Sequence, residues 1–192
     1  QAVSEEWGYL VQLGILLQSI VFGLIVILLP LAGRWKDLFK RQRGKLGVII
    51  YFASLGLGYM LVEIVLIQKL VFFLSDPIFS TSIVITTMLV ISGVGSLVSG
   101  MIRIKPRNVV RLAVVGVVIS LVFYVFGLPA LMNAMLDASM FVRILISMLV
   151  IAPGAFFLGM PFPSGIAALT KSKERLIPWA WGMNGALSVT GS

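Results

Sequence analysis

Long apolar stretches recur along this chain, and the short connections between them carry most of its charge. A helix needs roughly 20 apolar residues to cross the hydrocarbon core of a bilayer. Measured that way, the sequence holds five full spans, at about 7–31, 46–74, 80–101, 109–128 and 141–165, and the start of a sixth from about 178 onward. Backbone polar groups in lipid must be satisfied within the protein, which leaves helices or closed barrels. Segments of this length predict an all-α, polytopic transmembrane helix bundle forming one helical domain over 1–192. A hydrophobic fraction of 59%, a charged fraction of 11% and a mean hydropathy of +1.09 exclude a water-soluble globular domain.

The net charge of +8 does not point to nucleic acid, because of where the basic residues fall. Of the 15 Lys and Arg, six lie between Arg34 and Lys45, four between Arg103 and Arg111 and three between Lys171 and Arg175. Only Lys69 and Arg143 lie elsewhere. This is the positive-inside pattern. It predicts a multi-pass integral membrane protein with loops 33–45, 102–108 and 170–177 cytoplasmic and Gln1 outside. The partner of those loops is then anionic lipid of the bilayer, with no nucleic acid involved.

Cysteine and histidine are both absent. Thiolate and imidazole metal sites, haem ligation and a Ser-His-Asp relay are excluded by that alone. No two acids fall at helical spacing inside a span, so no metal, no cofactor and no catalytic residue is predicted in this segment. Glu5 and Glu6 stand where a signal peptide would be basic. The chain begins with Gln and stops at Gly191-Ser192 inside an apolar run, from which we expect it to be part of a longer polypeptide.

Three groups of residues stand out within the spans. Glu63 is an acid in the middle of an apolar segment, and an ionisable group there costs at least about 2.5 kcal/mol on insertion scales. It lies about 26 Å along its span. Arg143, at the start of the fifth span, is placed at a comparable depth, which favours a structural Glu63–Arg143 pair over a proton, cation or polyamine contact. Gln68 is a further candidate for a polar contact, Lys69 is expected to extend to the outer surface, and Asn184 is too near the inner face to reach Glu63.

The second group is Ser92, Ser96 and Gly100, spaced by four with Gly95 and Ser99 beside them, a small-residue face suited to close helix packing. The spacing of Gly93, Gly95 and Gly100 does not fit a phosphate loop. The third is Pro161 and Pro163, which should break the fifth span in a packed interior or cavity wall, as a kink above the inner surface or as part of a binding site. Between spans, Ser75-Asp76-Pro77 reads as a turn and Pro178 as a helix start.

Four segments in order, Gly56-Leu57-Gly58-Tyr59-Met60-Leu61-Val62-Glu63-Ile64 with Gln68-Lys69, Ser92-Gly93-Val94-Gly95-Ser96, Gly159-Met160-Pro161-Phe162-Pro163 and Trp179-Ala180-Trp181-Gly182-Met183-Asn184-Gly185, resemble the membrane region of bacterial spermidine-synthase-like proteins. The resemblance covers about 46–192. It implies a bacterial inner-membrane location and a polyamine aminopropyltransferase-like soluble domain fused upstream, where any catalysis would lie. None of that domain's nucleotide loop or acidic catalytic residues has a counterpart here. The charge pattern, however, puts Gln1 outside, away from cytosolic S-adenosylmethionine, unless another span intervenes. The expected role is to anchor a soluble domain or pack with partner subunits. Alternatives are a transport module for protons, cations or polyamines using Glu63, and an accessory subunit docking through the Ser92/Ser96/Gly100 face.

Overall fold

The computed structural model describes residues 11, 13–15, 17, 18, 21, 22, 25, 44–102, 104–170 and 173–191. Contacts divide the chain into two compact units, Gln1–Lys45 and Leu46–Ser192. In the first unit, residues 11, 13–15, 17, 18, 21, 22 and 25 are helical. The rest of the expected span at 7–31, and most of the basic loop at 33–45, lie outside the described residues.

Six helices follow: α1 (Lys45–Leu74), α2 (Pro77–Met101), α3 (Pro106–Ala134), α4 (Met140–Gly159), α5 (Pro161–Thr170) and α6 (Ile177–Gly191), with a 3-10 turn at Glu174–Leu176. No strand occurs among the described residues. Among the described residues, four helical segments are long and apolar enough to cross a membrane: α1, α2, α3 and the α4–α5 run Met140–Thr170. The sixth expected span appears as α6, whose 15 described residues make up only about 22 Å.

Local chemistry sets the boundaries. Ser75 takes a left-handed φ of 57° and reverses the chain. Asp76 then caps α2, its Oδ1 accepting from the amides of Ile78 at 2.8 Å and Phe79 at 2.9 Å, while Pro77 opens the helix. α3 also opens on a proline, Pro106. It does not end near Pro129, as expected, but runs on to Ala134. Pro129 deprives only the Val125 carbonyl of its helical donor, and the turns on either side stay intact. Pro153 is passed in the same way inside α4.

The exterior is apolar. α3 buries one narrow stripe, Val109, Ala113, Gly116, Ser120, Tyr124 and Leu128. Around it Val114, Val118, Ile119, Val122 and Phe126 each leave more than half of their surface open. In water such surface would cost about 25 cal/mol per Å² relative to burial, so this helix is suited to hydrocarbon on its outer faces. With no hydrophobic drive between helices in lipid, close packing must hold them together.

That packing is concentrated at glycines. α2 and α4 pair extensively. A Cβ on Gly95 would strike the Phe156 carbonyl, and one on Gly159 would strike the Ser92 carbonyl. Gly116 lies under the Phe157 ring, and Gly154 makes room for the Tyr124 hydroxyl. At the end near the α1–α2 turn, Leu66, Leu70, Phe73, Val84, Met88 and Ile151 form the largest core cluster. A second cluster of Phe52, Leu169, Leu176 and Ala180 closes the opposite, basic end.

Candidate functional site

Between these clusters lies a cleft of about 450 Å³, walled by α1, α2, the α4–α5 junction and α6. Its polar lining includes Tyr59, Ser92, Ser96 and Asn184, and its apolar lining includes Met60 and Phe162.

The α4–α5 junction shapes one wall. Helix α4 stops at Gly159, Met160 bridges, and Pro161 starts α5. The expected break at Pro161 and Pro163 therefore falls at Met160, which stays right-handed helical with φ −78° and ψ −38°. The bridging bonds are long: Met160 N–H donates to Phe157 O at 3.3 Å, and Ser164 N–H to Met160 O at 3.4 Å. Residue 163 has no N–H, so the carbonyl of Gly159 lacks the usual i+4 donor where it borders the cleft. Tyr51 steadies the junction from α1, its hydroxyl donating to the Pro161 carbonyl at 2.8 Å.

α1 presents a stripe toward the other helices at i, i+3 and i+4 steps: Phe52, Gly56, Tyr59, Glu63, Leu66, Leu70 and Phe73. Phe52 and Gly56 at one end and Leu66, Leu70 and Phe73 at the other are buried, whereas Tyr59 and Glu63 between them are only half-buried. Of these two, Tyr59 lines the cleft. The Gly56 face admits α6 closely, with the Asn184 carbonyl where a Cβ would stand. Tyr59 and Ser92 hydroxyls meet at 3.4 Å, and Ser92 Oγ also donates to Leu89 O at 3.3 Å. With that proton placed, Tyr59 donates to Ser92 and keeps its own lone pairs open.

Glu63, one turn beyond Tyr59 on the same face, lies within electrostatic reach of it. The expected pair with Arg143 is not formed. The guanidinium instead donates Nε to Ala138 O at 3.1 Å, Nη1 to Phe73 O at 3.2 Å and Nη2 to Leu136 O. Depth explains the difference: Arg143 is level with Phe73, ten residues or about 15 Å beyond Glu63 along α1. No ion pair to Glu63 occurs among the described residues. Gln68 is exposed and Lys69 half-buried, on other faces of α1.

The candidate packing face is split by the structure. Ser92 touches Gly159 through its backbone, but the seam continues through Gly95 and Ser99, which are buried. Ser96 borders the cleft, while Gly100 is exposed and a Cβ there would meet nothing within 4 Å. Sequence reasoning missed Tyr59 and Tyr51. Their signal was the spacing of Tyr59 from Gly56 and Glu63 on one helical face.

Among the described residues no group of three acids, His or Cys could hold a metal ion. Compared with known families, curated proteins and solved structures, the chain matches none of them.

Proposed function

We propose that 46–192 is the membrane-embedded region of a spermidine-synthase-like protein, anchoring and orienting a soluble domain or packing with partner subunits, without catalysis of its own. One observation carries this reading. The four segments on which the resemblance rests, separated in sequence, contribute Gly56 and Tyr59, Ser92 and Ser96, Gly159 and Phe162, and Asn184 to a single cleft. Several of these residues are used for helix contact, Gly56 against Asn184 and Ser92 against Gly159, as a structural platform requires. In this reading the chain lies in a bacterial inner membrane, crosses it five times and begins a sixth crossing, with its basic loops cytoplasmic.

The intact mass of the denatured native polypeptide tests the fused-anchor form. A mass far above 20.9 kDa, with a soluble domain in the extra sequence, is expected. A mass near 20.9 kDa would remove the fused domain and leave only partner packing.

A second reading, transport, is favoured by Glu63, a half-buried carboxylate one turn from the cleft residue Tyr59 and without an ion-pair partner among the described residues. Proton or polyamine flux into vesicles that Glu63→Gln abolishes would support it. Flux that the substitution leaves unchanged would eliminate the residue on which it depends.

A further inference from the structure

A second cavity, of about 540 Å³, lies where α2 ends, α3 begins and α5 passes beside them. Ser99, Val109 and Ser164 are its buried lining, and Gly100, Ile104, Lys105 and Ala167 its exposed rim. Ile102 and Lys105 both take extended backbone before Pro106 restarts the helix, and the cavity borders this turn.

Among the described residues Lys105 is the one charged side chain in the lining, and no acid joins it. Although it stands at the N-cap of α3 it makes no capping bond, and its ammonium has no hydrogen bond or ion pair among the described residues. The negative end of α2 and the positive end of α3 meet here and oppose each other, so the net charge at the rim is that of the lysine. The two buried hydroxyls have already spent their protons: Ser99 Oγ donates to Ser96 O at 2.7 Å, and Ser164 Oγ to Met160 O at 2.9 Å. An anion is therefore held at the rim, by Lys105, and not at the floor.

The remaining surface is apolar. Ile102, Ile104 and Val109 line the cavity, and outside it Leu97, one turn before Gly100 on α2, is exposed. A free inorganic anion would use the lysine alone, whereas an anion bearing hydrocarbon would use both surfaces. The volume falls within the roughly 300–1,000 Å³ of small-molecule sites. Basic pockets between the ends of membrane helices suit phosphate headgroups.

We infer that this cavity is a discrete site for one anionic phospholipid, its phosphate paired with Lys105 at the rim and an acyl chain laid along Ile104, Gly100 and Leu97. One lysine and one cavity define it, which sets it apart from a general attraction of basic loops to lipid. The site needs α2, α3 and the Met140–Thr170 run to meet the bilayer but neither a fused domain nor flux, so it stands or falls separately from the anchoring and transport readings.

Native mass spectrometry of the full chain, delipidated in detergent and titrated with dioleoyl phosphatidylglycerol, is the test. Saturable retention of one lipid is expected, with weaker retention of dioleoyl phosphatidylcholine and no displacement by equimolar inorganic phosphate. Lys105→Gln should weaken retention about tenfold, the loss for one charge-assisted hydrogen bond. Arg107→Gln and Arg111→Gln, at exposed positions outside the lining, should each cost about twofold, as for charges in water. Gly100→Leu should also weaken retention while keeping helical circular dichroism, because a Cβ there meets nothing within 4 Å. Equal losses from all three charge substitutions would show diffuse attraction and overturn the proposal. Displacement by inorganic phosphate would overturn it in favour of a free-anion site, and equal retention of phosphatidylcholine in favour of a merely apolar one. Unaltered retention in Lys105→Gln or Gly100→Leu, or no saturable retention by the unsubstituted chain, would overturn it as well.

Discussion

Arg143 Nη1 donates to the carbonyl of Phe73 at 3.2 Å, so the first turn of α4 holds the last turn of α1. The guanidinium carbon also sits 5.8 Å from the centre of the Phe73 ring. Phe73 O is one of the last four carbonyls of its helix, which have no partner within it. An arginine, with five N–H groups in a fixed fork, can serve this carbonyl together with those of Leu136 and Ala138.

Arg143→Ala is therefore expected to destabilise the bundle by about 2 kcal/mol, the range for lost hydrogen bonds to a charged donor. Arg143→Lys should recover part of this, since one ammonium cannot reach all three carbonyls. Unfolding in mixed micelles provides the measurement. Glu63→Gln on the same scale should change stability by less than half as much, and a double substitution should be additive, because the two side chains are not paired.

Close approach of α2 and α4 predicts a sharp contrast between neighbouring glycines. Gly95→Ala would push a methyl group against the Phe156 carbonyl, which is backbone and cannot rotate away. A loss of about 1–3 kcal/mol is expected, as for overpacking in a core. Gly100→Ala, five residues on and facing open space, should stay within about 0.5 kcal/mol. Equal effects at both positions would contradict the seam.

The Tyr124 hydroxyl lies 3.1 Å from Val150 O and 3.2 Å from Ile151 O, over the space left by Gly154. Tyr124→Phe should cost about 1 kcal/mol, the usual net value of one hydrogen bond. Tyr51→Phe should cost a similar amount and, by removing the bond to Pro161 O, should speed amide exchange at Phe162 and Ser164. Exchange there at the original rate would show that the junction is held by packing alone.

The chain has no cysteine, so single cysteines report position cleanly. Lys173 and Asp137 are both exposed, the first between α5 and α6 and the second between α3 and α4. Lys173→Cys and Asp137→Cys should react with an impermeant maleimide from opposite sides of sealed membrane vesicles. Reaction of both from one side would contradict a crossing by Met140–Thr170.

Helix identity and the main turns were legible because they depend on neighbouring residues. An apolar run of more than 20 residues has few alternatives in lipid, and Asp76 with Pro77 opens α2 through bonds that span three residues. Pro161 and Pro163 located the helix break for the same reason, since a missing N–H acts one turn away. Pro129 shows the limit of such reasoning: it also removes a donor, yet α3 continues to Ala134, with Leu128 buried beside it.

Contacts between helices were not legible in this way. Spacings of three and four both keep residues on one face, so Ser92, Ser96 and Gly100 looked as suitable as Ser92, Gly95 and Ser99. The position of Phe156 and Gly159 on α4 decided between them. Glu63 and Arg143 were matched by counting along separate spans, but relative depth depends on where each helix is gripped, and Arg143 grips α1 at Phe73. The amino-acid order by itself determined helices with apolar spans, a basic set of connections and one acid inside a span, because those follow from local backbone chemistry and transfer free energy. Only the tertiary structure decided that the acid has no arginine partner, because side-chain pairing requires distances that no single helix contains.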